Sequence, residues 1–182
     1  VAGFKAGAQN KMPREIVHVG RKIQVAIDTE TKPDGTVIRR DMIFHPGAVV
    51  ILPVLNADHV VLLRNHRPVI GETLWELPAG TREKDEPIEN SARRELLEET
   101  GYQAAKWTSL GYLYASPGVM DETLHLFVAE GLTPGPARPE ADEDLEAVTV
   151  RFEEAIRMCL AGEIKDAKTI TALLLWERKT RS

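Results

Sequence analysis

Three carboxylates, Glu95, Glu98 and Glu99, and a preceding arginine, Arg94, are the residues whose spacing could do chemistry. On a helix, at about 100° per residue, the three glutamates fall within an arc of about 100°. They lie in the last turns before Gly101, a natural C′ residue, where the helix dipole favours cations rather than anions. A bound divalent cation would relieve both the mutual repulsion and the unfavourable dipole. Oxygen-only ligands, completed by water and phosphate, suit Mg²⁺ or Mn²⁺. The competing reading is a solvated acidic face. Gly80 and Gly101 at the two ends, with Arg94 just before the cluster, weigh against it.

The elements that must position these residues are legible in outline. Pro87 suits the first turn of a helix running to about Thr100. Ile88, Ala92 and Leu96 form a neighbouring apolar stripe that can pack on a sheet. Strands are expected over 22–28, 36–44, 48–55, 59–64, 74–77, 107–113, 124–130 and 145–152, from alternation or short apolar runs. Lys32-Pro33-Asp34-Gly35 reads as the turn of an N-terminal β-hairpin unit over 14–44. Pro78-Ala79-Gly80 reads as a strand breaker, and 133–144 as a mobile surface loop. Two helices are expected to close the chain, over 153–161, stopped by Gly162, and 167–179, started by Asp166. The division expected is a flexible 1–13, the β unit at 14–44 and a catalytic domain at 45–182.

Composition narrows the class. The 182 residues are 43% hydrophobic and 28% charged, enough for a packed core. No run approaches the ~18 apolar residues of a membrane helix, and residues 1–20 hold no hydrophobic signal core. A cytoplasmic protein without membrane attachment is expected. The single cysteine, Cys159, excludes an internal disulfide framework and reads as a core thiol. A net charge of −5 argues against a general nucleic-acid partner. The five histidines are scattered without metal-ligand spacing.

The stretch from Gly80 through Glu86, Arg94, Glu95, Leu96, Glu98, Glu99 and Gly101 to Tyr102 resembles the Nudix box, G-x5-E-x7-R-E-U-x-E-E-x-G-U, with U a bulky apolar residue. Every specified position matches. The resemblance implies an α/β fold, a mixed sheet sandwiched by helices, with the box forming a loop–helix–loop. It implies Mg²⁺- or Mn²⁺-dependent hydrolysis of a nucleoside diphosphate linked to another group. Carried over by position, Glu95 and Glu99 are the main metal ligands, Glu98 a further ligand or water-orienting group, and the Ala79 carbonyl a further ligand. Arg94 orients the glutamates.

Further features resemble the ADP-ribose pyrophosphatases of that family. Pro117, in Ala115-Ser116-Pro117-Gly118, and Glu122, after Asp121, fit that group's Ser-Pro-Gly-x-x-Asp-Glu pattern. The N-terminal unit resembles one that exchanges between subunits, which implies a homodimer. Arg39, Arg40 and Arg67 stand where that group places substrate arginines, and Arg40 and Arg67 are the ones assigned here. Glu76 resembles a substrate-contacting glutamate, and Trp75 could stack on adenine or sit in the core. Glu143 is the candidate base from the late loop, with Glu140 and Asp142 as rivals. The expected reaction is ADP-ribose to AMP and ribose 5-phosphate. The alternatives are another ADP-sugar or GDP-mannose, a nucleic-acid cap, or a non-catalytic nucleotide-sugar sensor.

Overall fold

A computed structural model describes residues 14–138 and 144–181. The expected flexible segment 1–13 lies outside the described residues. The N-terminal unit is a three-stranded antiparallel sheet of β1 (Glu15–Val19), β2 (Gln24–Thr31) and β3 (Val37–Phe44). The β2–β3 turn falls where proline and glycine place it. Gly35 takes φ 86°, and the Thr36 N–H donates to Asp34 Oδ1 at 2.9 Å. β1 is an addition to the expected hairpin. All its residues are exposed, so no buried face imprints a pattern on its sequence.

The main sheet runs β10-β5-β4-β9-β8, with β6 on β5 and β7 on β4. The strands are β4 (Ala48–Val54), β5 (His59–Arg67), β6 (Glu72–Glu76), β7 (Ala79–Thr81), β8 (Tyr102–Tyr114), β9 (Thr123–Pro134) and β10 (Leu145–Arg151). β4 and β9 are parallel; the other pairs are antiparallel, giving the expected mixed sheet. Pro78-Ala79-Gly80 does not end extended structure, because Ala79–Thr81 pairs with Val50–Ala48 of β4. The expected loop 133–144 begins later, since Thr133 and Pro134 extend β9 opposite Gln103 and Tyr102.

Among the described residues three helices cover the sheet: α1 (Ile88–Thr100), α2 (Phe152–Leu160) and α3 (Ala167–Thr180). Successive residues of a strand face opposite sides, and β4 uses both. Val49 and Ile51 pack with Ala92 and Leu96 of α1, while Val50 and Leu52 join the core with Met158 of α2 and Leu173 of α3. Burying each valine, leucine, isoleucine or methionine among these contributes about 1.5–3 kcal/mol. Cys159 is packed against the second core, and burial pushes its thiol above the usual range. Among the described residues no helix is long and apolar enough to cross a membrane.

The end of α1 is fixed from two sides. Gly101 takes φ 75°, and its N–H donates to the Leu97 carbonyl at 2.8 Å. A Cβ there would stand 2.3 Å from the Gly135 carbonyl oxygen, so only glycine fits. The Arg138 N–H donates to the Glu98 carbonyl at 2.8 Å, tying the start of the late loop to the acidic turn.

Candidate active site

The register of β7 determines what it offers α1. Ile51 N–H donates to the Pro78 carbonyl, and Arg82 N–H to the Gly47 carbonyl. Antiparallel ladders alternate, so the polar groups of Ala79 and Thr81 point away from β4. There the Ala79 N–H donates to Glu99 Oε2 at 2.9 Å, and the Thr81 carbonyl accepts from Arg94 Nη2 at 3.4 Å. The Ala79 carbonyl shares that outer edge. Glu95 lies directly against Gly80. A Cβ on Gly80 would fall 1.9–2.2 Å from the Glu95 carboxyl atoms. The glycine that opens the box is therefore the space in which Glu95 rests.

Arg94 gathers the acidic residues. It donates from Nη1 to Glu95 Oε1 at 2.7 Å and to Glu98 Oε2 at 3.0 Å, and from Nη2 to Glu86 Oε2 at 3.1 Å. Burial works against its charge, but Glu86, Glu95 and Glu98 outweigh it and hold the guanidinium above its usual range. Glu86 is held below the carboxylate range by Arg94 and then by Ser91, whose hydroxyl donates to it at 2.6 Å. Glu95 and Glu99 are buried, at 7% and 3% exposure. Both line a cavity of about 930 Å³. Glu98 sits outside the lining with its side chain 32% exposed.

The wall formed by β5 and α3 is cationic. Arg67 grips Glu76 through both Nε and Nη2, and Lys168 Nζ donates to Glu76 Oε2 and to Asp166 Oδ1, each at 2.9 Å. Burial alone would raise the Glu76 pKa, but Arg67 and Lys168 outweigh it and hold the carboxyl below its usual range. Glu76 is 2% exposed and outside the lining, whereas Arg67, Asp166 and Lys168 line the cavity. The remaining charged lining is Arg21, Lys22, Arg82, Glu83, Arg94 and Glu122. Acidic overall, the chain nonetheless offers six cations around this cavity among the described residues.

The expected residues thus divide. Ala79, Arg67, Arg94, Glu95, Glu99 and Glu122 share the cavity, and Glu122 also meets His45 Nδ1 at 3.3 Å. Trp75 packs on the core, with the Arg64 guanidinium 4.9 Å from its ring centre. Arg40 pairs with Glu30 at 2.7 Å and, with Pro117, lines a separate cavity of about 430 Å³. Glu143, Glu140 and Asp142 lie outside the described residues. Sequence reasoning singled out neither Lys168, Arg82, Arg21 nor Lys22. In the sequence Asp166 reads only as a helix start, which it is: its side chain accepts from the Thr169 N–H.

The donors at the carboxylate end fit a hard divalent cation. They belong to two buried side chains, Glu95 and Glu99, and among the described residues no three His, Cys, Asp or Glu side chains are grouped so as to hold a metal ion by themselves. Mg²⁺ is commonly held by one or two carboxylates, with waters and substrate phosphates completing the shell.

The NUDIX domain model matches residues 44–173. The chain is 36% identical to an ADP-ribose pyrophosphatase of Bacillus subtilis over 172 residues, covering 93% of each. It is also 36% identical to a GDP-mannose pyrophosphatase of Escherichia coli over 155 residues, covering 79% of this chain and 81% of that one. A crystal structure of an ADP compounds hydrolase superposes with a TM-score of 0.82 at 22% identity, covering 94% of both chains, and so shares the fold. With the matching box, the shared fold and these relatives, the chain belongs to the Nudix family as a pyrophosphatase of its ADP-ribose pyrophosphatase-like group.

Proposed function

We propose that the 930 Å³ cavity hydrolyses the pyrophosphate bond of a nucleoside diphosphate sugar, with ADP-ribose as substrate and AMP and ribose 5-phosphate as products. The observation that carries this reading is one cavity joining two buried carboxylates to an arginine–lysine wall. Glu95, Glu99 and the Ala79 carbonyl would hold Mg²⁺ or Mn²⁺. When bound, such a cation supplies charge stabilisation on the phosphates and makes water a stronger nucleophile. Arg94 keeps Glu95 and Glu98 in place; Glu98, nearer the rim, is available to orient water. Arg67 takes phosphate oxygens, and Glu122 contacts the substrate from the facing wall. The relative that acts on GDP-mannose keeps that sugar nucleotide as the second candidate. Turnover of a panel containing both, with product identification, decides: a higher kcat/KM for ADP-ribose supports the reading, and preference for GDP-mannose replaces it.

The proton acceptor in this reading is Glu143. Glu143→Gln is expected to lower kcat by about 10²-fold or more while leaving KM nearly unchanged, because proton transfer belongs to the transition state. Parallel Glu140→Gln and Asp142→Asn changes separate the registers. If all three keep full kcat, the late loop holds no base.

A homodimer through residues 14–44 is part of the same proposal. The N-terminal sheet exposes Ile16, Val17, Val19 and Val37, each between 48% and 66%. Pairing of two copies would cover these residues. It would also offer Arg40 and Pro117, which lie off the main cavity within one chain, a route to the substrate of either copy. Sedimentation at assay concentration is expected to give a dimer; an active monomer contradicts it.

A further inference from the structure

His45 stands at the corner between β3 and β4, where the N-terminal sheet gives way to the main one. Gly47 shapes that corner: it takes φ 88°, and a Cβ there would stand 3.1 Å from the Thr123 carbonyl oxygen. The turn over 116–121 is laid along the end of β3. The Ile43 N–H donates to the Val119 carbonyl at 2.9 Å, and the Asp121 N–H to the Ile43 carbonyl at 3.1 Å. Two adjacent carboxylates are thereby brought to one residue. Asp121 Oδ1 accepts the backbone N–H of His45 at 2.8 Å, and Glu122 Oε1 lies 3.3 Å from the ring at Nδ1. The imidazole is 9% exposed and the Glu122 side chain 19%. Glu122 lines the main cavity, whereas His45 lines a neighbouring one of about 320 Å³ that shares Arg21 and Lys22 with it.

Nδ1 also meets a donor, the Gly47 N–H at 3.1 Å. One ring nitrogen cannot serve both neighbours. Carrying a proton, it donates to the carboxylate; without one, it accepts from the glycine. Asp121 is thus spent on the backbone of the corner, and Glu122 is the carboxylate the ring can direct. A glutamate side chain has several rotamers, and a fixed ring beside it removes much of that freedom before a ligand arrives.

We propose that His45 is a positioning residue whose Nδ1–H holds Glu122 in the orientation from which that carboxylate contacts the substrate. The inference rests on the role given to Glu122 in the function proposed above. It makes the junction with the N-terminal sheet part of the support of the site, although His45 itself touches no substrate.

The test uses the full chain with Mg²⁺, ADP-ribose for kinetics and α,β-methylene ADP-ribose, which resists hydrolysis, for calorimetry. His45→Phe keeps a ring of similar size and removes Nδ1. It is expected to raise KM and the Kd of the analogue about 5- to 30-fold, as for a lost hydrogen bond to a charged group. Its kcat should stay within about threefold, since the contact of Glu122 is made in ground and transition states alike. His45→Asn, which can place an amide N–H near the position of Nδ1, should recover part of the affinity. The decisive comparison is a double-mutant cycle with Glu122→Gln. If His45 acts through Glu122, the double variant binds within about twofold of Glu122→Gln alone; if the two losses multiply, the proposal is overturned. Thermal unfolding accompanies each variant, and His45→Ala replaces His45→Phe in the cycle should phenylalanine unfold the corner. An active wild type whose His45 variants bind normally overturns the inference alone. So does a Glu122→Gln variant with unchanged Kd, which leaves the reaction standing. A wild-type protein that neither binds the analogue nor hydrolyses ADP-ribose overturns the functional reading and this inference with it.

Discussion

Replacing Glu99 by glutamine is expected to lower kcat by at least about 10²-fold without unfolding the protein. The side chain is 3% exposed, and Oε2 accepts the Ala79 N–H at 2.9 Å. Glutamine keeps that acceptor and nearly the same volume, so α1 stays docked on β7. What it loses is the charge. Arg94 donates to Glu86, Glu95 and Glu98, while Glu99 is held by the Ala79 N–H and lines the cavity. In the proposed reading, removing it would weaken the hold on a divalent cation at the place where phosphate charge must be neutralised. Steady-state kinetics at limiting Mg²⁺, with thermal unfolding alongside, reads both effects. Near-normal turnover with an unchanged melting temperature would contradict the role given to Glu99.

Gly80→Ala separates site geometry from stability in a second way. The added Cβ would stand 1.9 Å from the Glu95 Cδ and within 2.2 Å of both oxygens, so the carboxyl must leave its seat. The far end of a glutamate can swing, and the backbone at Gly80 does not need positive φ. The fold cost is therefore moderate, about 1–3 kcal/mol as for other small-to-large changes in packed sites. The catalytic cost is large, about 10²-fold or more in kcat, because a small displacement of a positioned group is enough. The variant should resemble Glu95→Gln in kcat while staying folded at assay temperature. Full activity would mean that Glu95 can work from a different position.

These two effects come from residues that the sequence marks clearly, and the reason is local. The box spans a short turn and one helix, so its spacing fixes which side chains share a face and where α1 ends; that Gly80 lies under Glu95 is seen only in the structure. β4 was legible because it is buried on both faces and reads as one apolar run. α3 was legible from its Asp166 cap. The remaining features depend on contacts between distant segments. Lys168 meets Glu76 across 92 positions, and nothing near Lys168 in the chain announces a carboxylate beside it. Glu76 resembles a substrate-contacting glutamate in sequence; only the tertiary fold shows its carboxylate held by Arg67 and Lys168. β7 is three residues long and extended because β4 lies beside it, a pairing that outweighs the local Pro-Ala-Gly signal. Arg40 alternates with Arg39 on a strand, but its partners, Asp28 and Glu30, come from β2.

The central claim is that this cavity breaks a phosphorus–oxygen–phosphorus linkage with a divalent cation held at Glu95 and Glu99. Phosphorus NMR of ADP-ribose incubated with the protein and Mg²⁺ tests it most directly. The account predicts that the two pyrophosphate resonances give way to two phosphomonoester resonances, those of AMP and ribose 5-phosphate, and that a chelator stops the conversion. Pyrophosphate resonances that persist with Mg²⁺ present, or conversion that continues with every divalent ion chelated, would contradict it.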